Sequence, residues 1–174
     1  VVHPILVAAI TAYFSNDEEM VISALLHDVV EDTDFTLEDI QNKFGSDIAH
    51  IVDGLTKIVE IREHEFSTTS DKKQLASALS FRKMLIASID DVRVMVVKLC
   101  DRVHNMLTLN ALKIEKQKRI SEETLVVYAP IAHRLGISTI KNILEDLSFS
   151  YLYIDEYKKI DKHLQEFQQK IQLT

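Results

Sequence analysis

Ionisable side chains cluster directly after the apolar segment ISALL. His27 and Asp28 are adjacent, and Glu31 and Asp32 follow three residues later. Because helical residues three and four apart share a face, His27 would lie beside Glu31, and Asp28 beside both acidic residues. Carboxylates at the edge of an apolar core need a cation. A solvated helix end is the alternative explanation, but the core-facing position of His27 favours a metal or catalytic site.

Further polar residues lie in two distant segments. Asp101 follows the very apolar run VMVVKLC, so its carboxylate needs a strong partner, which Arg102 could supply. Asn105 shares the face of Asp101 at the i, i+4 spacing. His3 is another candidate ligand, on the first predicted helix. Imidazole nitrogen together with carboxylate oxygen suits Zn, Mn, Fe or Ni rather than Ca.

The composition limits both the fold and the partners. Among 174 residues there are three Gly and two Pro, too few for a many-stranded sandwich or barrel, and the glycine spacings exclude phosphate-binding glycine loops. The net charge of −7 argues against a nucleic-acid polymer as ligand. A small phosphorylated molecule is compatible with it, because a metal can supply positive charge locally. No membrane span is expected, and the single Cys100 is compatible with a cytoplasmic location.

Helical periodicity recurs through the chain and predicts an all-α protein. Asn16 or Asp17 is expected to cap the second helix. Thr36 with Asp39 resembles a capping box, and Gly45 would end that helix. The predicted helices cover residues 4–14, 18–32, 37–44, 47–61, 75–89, 92–109, 122–135, 138–151 and 155–172.

The elements suggest two parts of the chain. Residues 1–120 are expected to form a compact helical bundle with a truncated first helix, because Val1 already lies in sequence that reads as structured. Residues 121–174 are expected to form a helical hairpin that leads to material absent here. In this hairpin Ser121 would cap a helix that Pro130 interrupts. The last helix has a thin apolar stripe, which usually packs on another surface.

The segment between the predicted helices at 47–61 and 75–89 loses the apolar rhythm. Residues 62–74 are rich in Ser, Thr and charged side chains, so we expect a loop there.

Six segments, in this order, resemble the amino-terminal half of the RelA/SpoT homologues, bacterial enzymes that make and destroy the alarmone (p)ppGpp. They are HPILVA, ALLHDVVEDT, FGSDIAHIVDGLTKI, DVRVMVVKLCDRVHNM, ETLVVYAPIAHRLGI and IKNILEDLSFSYL. The order His3, His27-Asp28, Asp101 is also similar to that of the HD metal-dependent phosphohydrolases. The resemblance covers nearly the whole chain apart from residues 61–78, where the loop is longer than usual in the family.

The resemblance implies an HD-domain bundle with one Mn²⁺ and assigns its four ligands: His3, His27, Asp28 and Asp101. It also implies that Glu31 and Asp32 activate the hydrolytic water and steer the pyrophosphate. Asn105 would contact the nucleotide beside the metal, and Thr108 would line the guanosine pocket. His104 is interpreted as a core histidine that hydrogen-bonds within its helix rather than as a further ligand.

The implied activity is a cytoplasmic (p)ppGpp 3′-pyrophosphohydrolase, which yields GDP or GTP and pyrophosphate. The full-length protein would carry synthetase and regulatory domains, and no synthesis is expected from this chain. The family's basic stretch before the first His is missing, and Leu107 stands where an Arg is common, so nucleotide affinity should be weak. The alternatives are a catalytically silent module that binds alarmone or couples hydrolase and synthetase halves, and an HD phosphohydrolase for other nucleotides.

Overall fold

A computed structural model of the chain describes residues 2–65 and 90–172. Over these ranges the backbone is helical and forms no β-strand, which confirms the predicted all-α class. None of the helices in the described ranges has the length and apolarity that crossing a membrane requires. The chain divides into two compact units, Val1–Asn105 and Met106–Thr174.

The first unit contains the residues that the sequence marks as chemical. Its helices are α1 (Val2–Phe14), α2 (Glu18–Leu26), α3 (Val29–Asp32), α4 (Leu37–Phe44), α5 (Ser46–Glu65) and α6 (Val92–Leu107), of which the last two residues belong to the second unit.

The predicted helix boundaries near α2 and α4 are confirmed. The Asp17 carboxylate accepts a hydrogen bond from the Met20 N–H and so caps α2. Thr36 and Asp39 form the reciprocal bonds of a capping box at the start of α4. Gly45 ends α4 with a φ of +96°, a conformation that a side chain disfavours.

The core of the first unit is built around α6, as its hydrophobicity predicts. Val94, Met95, Val97 and Leu99 are at most 1% exposed. A second apolar cluster joins α4 to α5, where Ile40 packs among the buried side chains of α5 and partly buried residues of α2 and α3. These contacts fix the α2–α3 segment, which carries the clustered ionisable residues, against the bundle.

The prediction of one continuous helix over residues 18–32 is wrong. The helix breaks at His27 and Asp28, between α2 and α3. In a continuous helix the Ala24 carbonyl would accept the Asp28 N–H, but here the His27 ring Nδ1 lies 2.7 Å from that oxygen. Asp28 adopts φ −100° and ψ −1°, the bridge region between the helical and extended conformations. The chain turns at this point, and the imidazole bonds the carbonyl at the end of α2.

The loop predicted at 62–74 is wrong for its first four residues, because α5 continues to Glu65. The rest of that loop and the predicted helix 75–89 lie outside the described residues.

The second unit consists of short helices followed by two longer ones. They are a 3₁₀ turn (Leu109–Ala111), α7 (Ile114–Glu123), a π-helical turn (Thr124–Tyr128), α8 (Ala129–Arg134), α9 (Ser138–Leu152) and α10 (Ile154–Gln172).

Two expectations for the second unit meet different outcomes. Ser121 does not cap a helix: it is fully buried inside α7, and the helical backbone continues past it. Pro130 does interrupt the regular helix. Proline lacks an N–H, and its ring would clash with the Val126 carbonyl in an α-helix, so the π-helical turn before it widens the backbone. Gly136 ends α8 with a φ of +75°, as predicted.

The apolar stripe of α10 is exposed in the described part of the chain. Its members are between 40% and 60% exposed: Tyr157, Ile160, Leu164, Phe167 and Ile171. That this stripe packs on another surface stays a prediction.

Helix α5 lies close to α6 at Gly54, and this contact allows a test of the core. A Cβ at position 54 would lie 2.8 Å from Cγ2 of the buried Val94. We expect Gly54→Ala to lower the free energy of unfolding by about 1 kcal/mol, because overpacking costs about 1–3 kcal/mol and the better helix propensity of Ala returns about 1 kcal/mol. Urea denaturation measures this change. In a Val94→Ala background the same substitution should be neutral or stabilising; an equal cost in both backgrounds would contradict the close contact.

Arg93 joins the amino-terminal ends of α6 and α2. Its Nε lies 3.0 Å from Asp91 Oδ1, its Nη2 lies 2.8 Å from Asp91 Oδ2, and its Nη1 pairs with Glu19. The hydrogen bonds from Arg93 are the main reason why the pKa of Asp91 is lowered. A carboxylate with a lowered folded-state pKa stabilises the fold fully above its unfolded pKa and loses this contribution as the pH falls through the folded value.

We therefore expect Arg93→Met to reduce the free energy of unfolding by about 1 kcal/mol at neutral pH. As the pH falls below about 4 the difference from the unsubstituted protein should begin to shrink, because Asp91 then binds a proton in the unfolded chain, and it should disappear only below the lowered pKa of the folded protein. Chemical denaturation between pH 3 and 7 measures both effects. Lys141→Met, which removes a helix-surface pair with Glu145, is the control and should leave the acid limb unchanged.

Candidate metal centre

Three parts of the first unit bring the predicted ligands together. His3 lies in the first turn of α1, His27 and Asp28 lie at the α2–α3 break, and Asp101 lies in α6. Ligand atoms of His3, His27 and Asp28 are all within 4.8 Å of one another. Asp101 Oδ1 lies 3.2 Å from His3 Nε2 and 4.0 Å from His27 Nε2. Residues separated by almost a hundred positions thus converge on one small space.

The hydrogen bond at the helix break orients His27. Because a carbonyl only accepts, the contact with Ala24 requires the proton on His27 Nδ1 and leaves a lone pair on Nε2. This Nε2 is buried and makes no well-directed hydrogen bond among the described residues, although Asp28 Oδ1 lies 3.1 Å away. A nitrogen lone pair facing carboxylate oxygens is repulsive. A cation, either a proton or a metal ion, is therefore needed between them.

The pKa values of His27 and Asp28 agree with the need for a cation between them. Burial is the largest influence on His27 and favours the neutral ring, but the nearby Asp28 and Asp101 outweigh it and the pKa of His27 is raised. Burial likewise opposes the charge on Asp28, but the close contact with His27 Nε2 at 3.1 Å and the charge of His27 outweigh it and lower the pKa of Asp28. The two carboxylates therefore favour a positive charge at His27.

Asp101 is held as a buried carboxylate by two neighbours on its own helix. Lys98 Nζ donates to Asp101 Oδ2 and Asn105 Nδ2 donates to Oδ1, each at 2.8 Å. Burial opposes the charge most strongly, but Lys98 and the two imidazoles of His3 and His27 prevail, so the pKa of Asp101 is lowered. Asn105 thus shares the face of Asp101, as its i+4 spacing predicts. Lys98 was missed as the partner, although its i−3 position places it on the face of Asp101.

His104 also has a hydrogen-bond partner that the sequence analysis did not name. It is buried, as expected of a core histidine, but its Nδ1 lies 2.7 Å from the Nδ1 of His3 on α1 rather than only serving its own helix. Burial first, and then the charge of His3, lowers the pKa of His104. The signal that could have revealed it is the i+3 spacing from Asp101, which puts both side chains on one face of α6.

The proposed catalytic pair lies on α3. Glu31 and Asp32 are both exposed. Partial desolvation raises the pKa of Glu31, Asp28 and Asp32 add to this effect, and Lys98 and His27 oppose it. Glu31 is therefore within the electrostatic reach of the cluster. Thr108 belongs to the second unit, where it is exposed and precedes the 3₁₀ turn.

The donor set fits a divalent metal ion. It offers two imidazole nitrogens and two carboxylate oxygens, which suits Zn, Mn, Fe or Ni better than Ca. The second ring nitrogen of each histidine has a partner, Ala24 for His27 and His104 for His3, as is usual for metal ligands. The buried Nε2 of His27 supplies the strongest reason for a cation at this position.

Comparisons with known proteins agree with this geometry. A family model described as HD domain matches residues 1–138. The chain is 46% identical over 162 residues to a guanosine-3′,5′-bis(diphosphate) 3′-pyrophosphohydrolase of Haemophilus influenzae, covering 93% of this chain and 23% of that protein. It is 45% identical over 160 residues to the bifunctional (p)ppGpp synthase/hydrolase SpoT of Escherichia coli K12, covering 92% of this chain and 22% of that protein.

A GTP pyrophosphokinase of Myxococcus xanthus is 46% identical over 177 residues, covering 99% of this chain and 23% of that protein. The chain thus spans less than a quarter of the length of these relatives. The resemblance to the RelA/SpoT homologues is confirmed. Since the family model covers most of the sequence and ends well beyond the four convergent side chains, the chain belongs to the HD domain family.

Proposed function

We propose that residues 1–120 act as a cytoplasmic, Mn²⁺-dependent (p)ppGpp 3′-pyrophosphohydrolase. Residues 121–174 would link this domain to the synthetase and regulatory domains of a longer protein. The observation that carries the proposal is the buried Nε2 lone pair of His27, fixed by Ala24 and facing two carboxylates. The names of the relatives support the choice of substrate.

His3, His27, Asp28 and Asp101 would hold the metal ion. When bound, a divalent cation supplies a Lewis acid that acidifies water and offsets negative charge on phosphate oxygens. Such charge is needed here, because the chain itself carries a net charge of −7 and its substrate is a polyanion.

The remaining residues act on water and nucleotide. Water attacks the phosphorus that is bonded to the ribose 3′ oxygen, the bond between them breaks, and pyrophosphate leaves. Glu31 would take the proton from the water, because a raised pKa brings a carboxylate nearer to the strength that a general base needs. The 3′ oxygen takes a proton from solvent. Asp32 would steer the pyrophosphate, Asn105 would contact the nucleotide, and Thr108 would line the guanosine pocket.

A second candidate function is a regulatory module without turnover. A relative of almost the same identity is named GTP pyrophosphokinase, a name that describes synthesis and not hydrolysis. The exposed apolar stripe of α10 also suits a segment that transmits state to another part of a longer protein. A third candidate is hydrolysis of a different nucleotide by the same centre.

Metal binding provides the first test of the proposal. Asp28→Asn keeps the shape of the side chain but removes its charge, so we expect the affinity for Mn²⁺ to fall by at least about 100-fold. Isothermal titration of metal-free protein measures it. Asp47→Asn, at an exposed position in the first turn of α5, is the matched control and should bind as the unsubstituted protein does. Equal affinities in the three proteins would contradict the assignment of Asp28.

Turnover provides the second test. With Mn²⁺ bound, Glu31→Gln should lower kcat for pyrophosphate release from ppGpp by about 10²- to 10⁴-fold, because the general base is lost. Its affinity for Mn²⁺ should stay unchanged. Glu38→Gln, at an exposed site on α4, is the control for the loss of one carboxylate.

The products separate the three candidate functions. Pyrophosphate with GDP supports the hydrolase. Binding of ppGpp without release of pyrophosphate would replace it with the regulatory module, and faster hydrolysis of another nucleotide would replace the substrate.

A further inference from the structure

Lys98 places a buried positive charge directly behind one of the predicted metal ligands. Its side chain and that of Asp101 are each 8% exposed, and Lys98 Nζ lies 2.8 Å from Asp101 Oδ2. Burying an ammonium group is costly, and a well-packed apolar pair of similar volume often stabilises a fold equally well. The stability of the fold therefore does not by itself account for a lysine at this position.

The two oxygens of Asp101 have different neighbours. Oδ2 accepts a hydrogen bond from Lys98, whereas Oδ1 lies 3.2 Å from His3 Nε2 and 4.0 Å from His27 Nε2. Asn105 Nδ2 donates to Oδ1 at 2.8 Å, so a second hydrogen bond also holds the carboxylate in place. The orientation of Asp101 thus does not depend on Lys98 alone, and what Lys98 adds is its positive charge.

A count of charges shows what this addition does. The four predicted ligands are two imidazoles, which are neutral when they bind a metal ion, and two carboxylates. The two carboxylates would neutralise a divalent ion and leave no net charge for an anionic ligand. With Lys98 included, the loaded centre carries one net positive charge.

Other charged groups near the cluster do not take the place of Lys98. Arg102 is also buried, but its i+1 position directs it to a different side of α6 from Asp101. Glu31 and Asp32 are acidic and exposed, so water and salt screen their charges. Lys98 is the strongest of the charges that act on Glu31, whose pKa it lowers against the effect of desolvation. The charge of Lys98 therefore also acts toward α3.

We propose that Lys98 acts through Asp101 to lower the affinity of the centre for a divalent ion and to leave the loaded centre with a net positive charge that attracts phosphate oxygens. In this role Lys98 contacts neither the metal nor the substrate, so it is a positioning residue and not a catalytic one. The inference rests on the proposed metal centre and deepens the proposed function, but binding measurements test it without turnover.

The affinity for Mn²⁺ tests the first part of the inference by isothermal titration of metal-free protein. Lys98→Met and Lys98→Gln remove the charge, and we expect each variant to bind Mn²⁺ about 10- to 100-fold more tightly, because repulsion between the ammonium group and the ion is lost. Lys98→Arg keeps the charge and should stay within about fivefold of the unsubstituted protein. Lys141→Met removes the same charge from the pair with Glu145 on α9 and is the matched control.

The salt dependence separates a buried charge from other effects. Salt screens exposed charges much more than buried ones. The ratio of the affinities of Lys98→Met and the unsubstituted protein should therefore change less than about twofold between about 0.1 and 0.5 M NaCl. If Lys98 only maintained the shape of the centre, both neutral variants would bind Mn²⁺ more weakly. Equal or weaker binding in both would overturn the inference.

Orthophosphate tests the second part of the inference. Bound Mn²⁺ broadens the ³¹P resonance of a phosphate ion that approaches it, so a titration of Mn²⁺-loaded protein gives an affinity without any hydrolysis. We expect Lys98→Met to bind orthophosphate about 10-fold more weakly, although it binds Mn²⁺ more tightly. These opposite changes distinguish a charge effect from a structural one, which would weaken both. An unchanged affinity for orthophosphate would overturn the inference.

Failure of this inference and failure of the proposed function are distinguishable. If the unsubstituted protein releases no pyrophosphate from ppGpp, but loss of the Lys98 charge changes the two affinities in opposite directions, the inference stands and the hydrolase does not. If the unsubstituted protein binds no Mn²⁺, both are overturned. If Lys98→Met does not fold, Lys98→Gln decides, because its amide is neutral and remains polar.

Discussion

The hydrogen bond from the His27 ring to the Ala24 carbonyl couples the backbone of this protein to its chemistry. The ring occupies the carbonyl that would have continued α2, and the chain turns at Asp28. The same bond fixes the proton on one ring nitrogen and directs the lone pair of the other toward two carboxylates. The break in the helix and the demand for a cation thus meet at one residue. If the helix were continuous here, helical spacing alone would set the directions of the His27 and Asp28 side chains.

The charges around this point are only partly balanced by the protein itself. Lys98 offsets Asp101 within α6, at the cost of burying an ammonium group that is 6% exposed. Asp28 depends instead on His27, whose own burial favours the neutral ring. The arrangement is therefore stable only while a positive charge occupies the space between the imidazoles and the carboxylates. A proton satisfies this requirement, and a divalent cation does so with more charge and with directed bonds.

The sequence predicts the local features of this fold well because their causes are local. The Asp17 cap, the Thr36–Asp39 capping box and the glycines that end α4 and α8 each depend on a few neighbouring residues. The four convergent side chains were predicted from the resemblance and from the difficulty of placing Asp101 in an apolar helix without a partner.

The errors share a different cause. The segment HDVVED keeps helical spacing. Its pattern therefore does not reveal that the Ala24 carbonyl is bonded by the His27 ring. Ser121 is a residue type that often caps helices, but its burial in the tertiary structure overrides that preference.

The roles of Lys98 and His104 could have been inferred from spacing, because both stand three residues from Asp101 and share its face. A buried carboxylate should direct attention to every polar side chain on that face. All of these residues lie within Val1–Asn105, so the convergent side chains and the neighbours that orient them belong to the first compact unit alone.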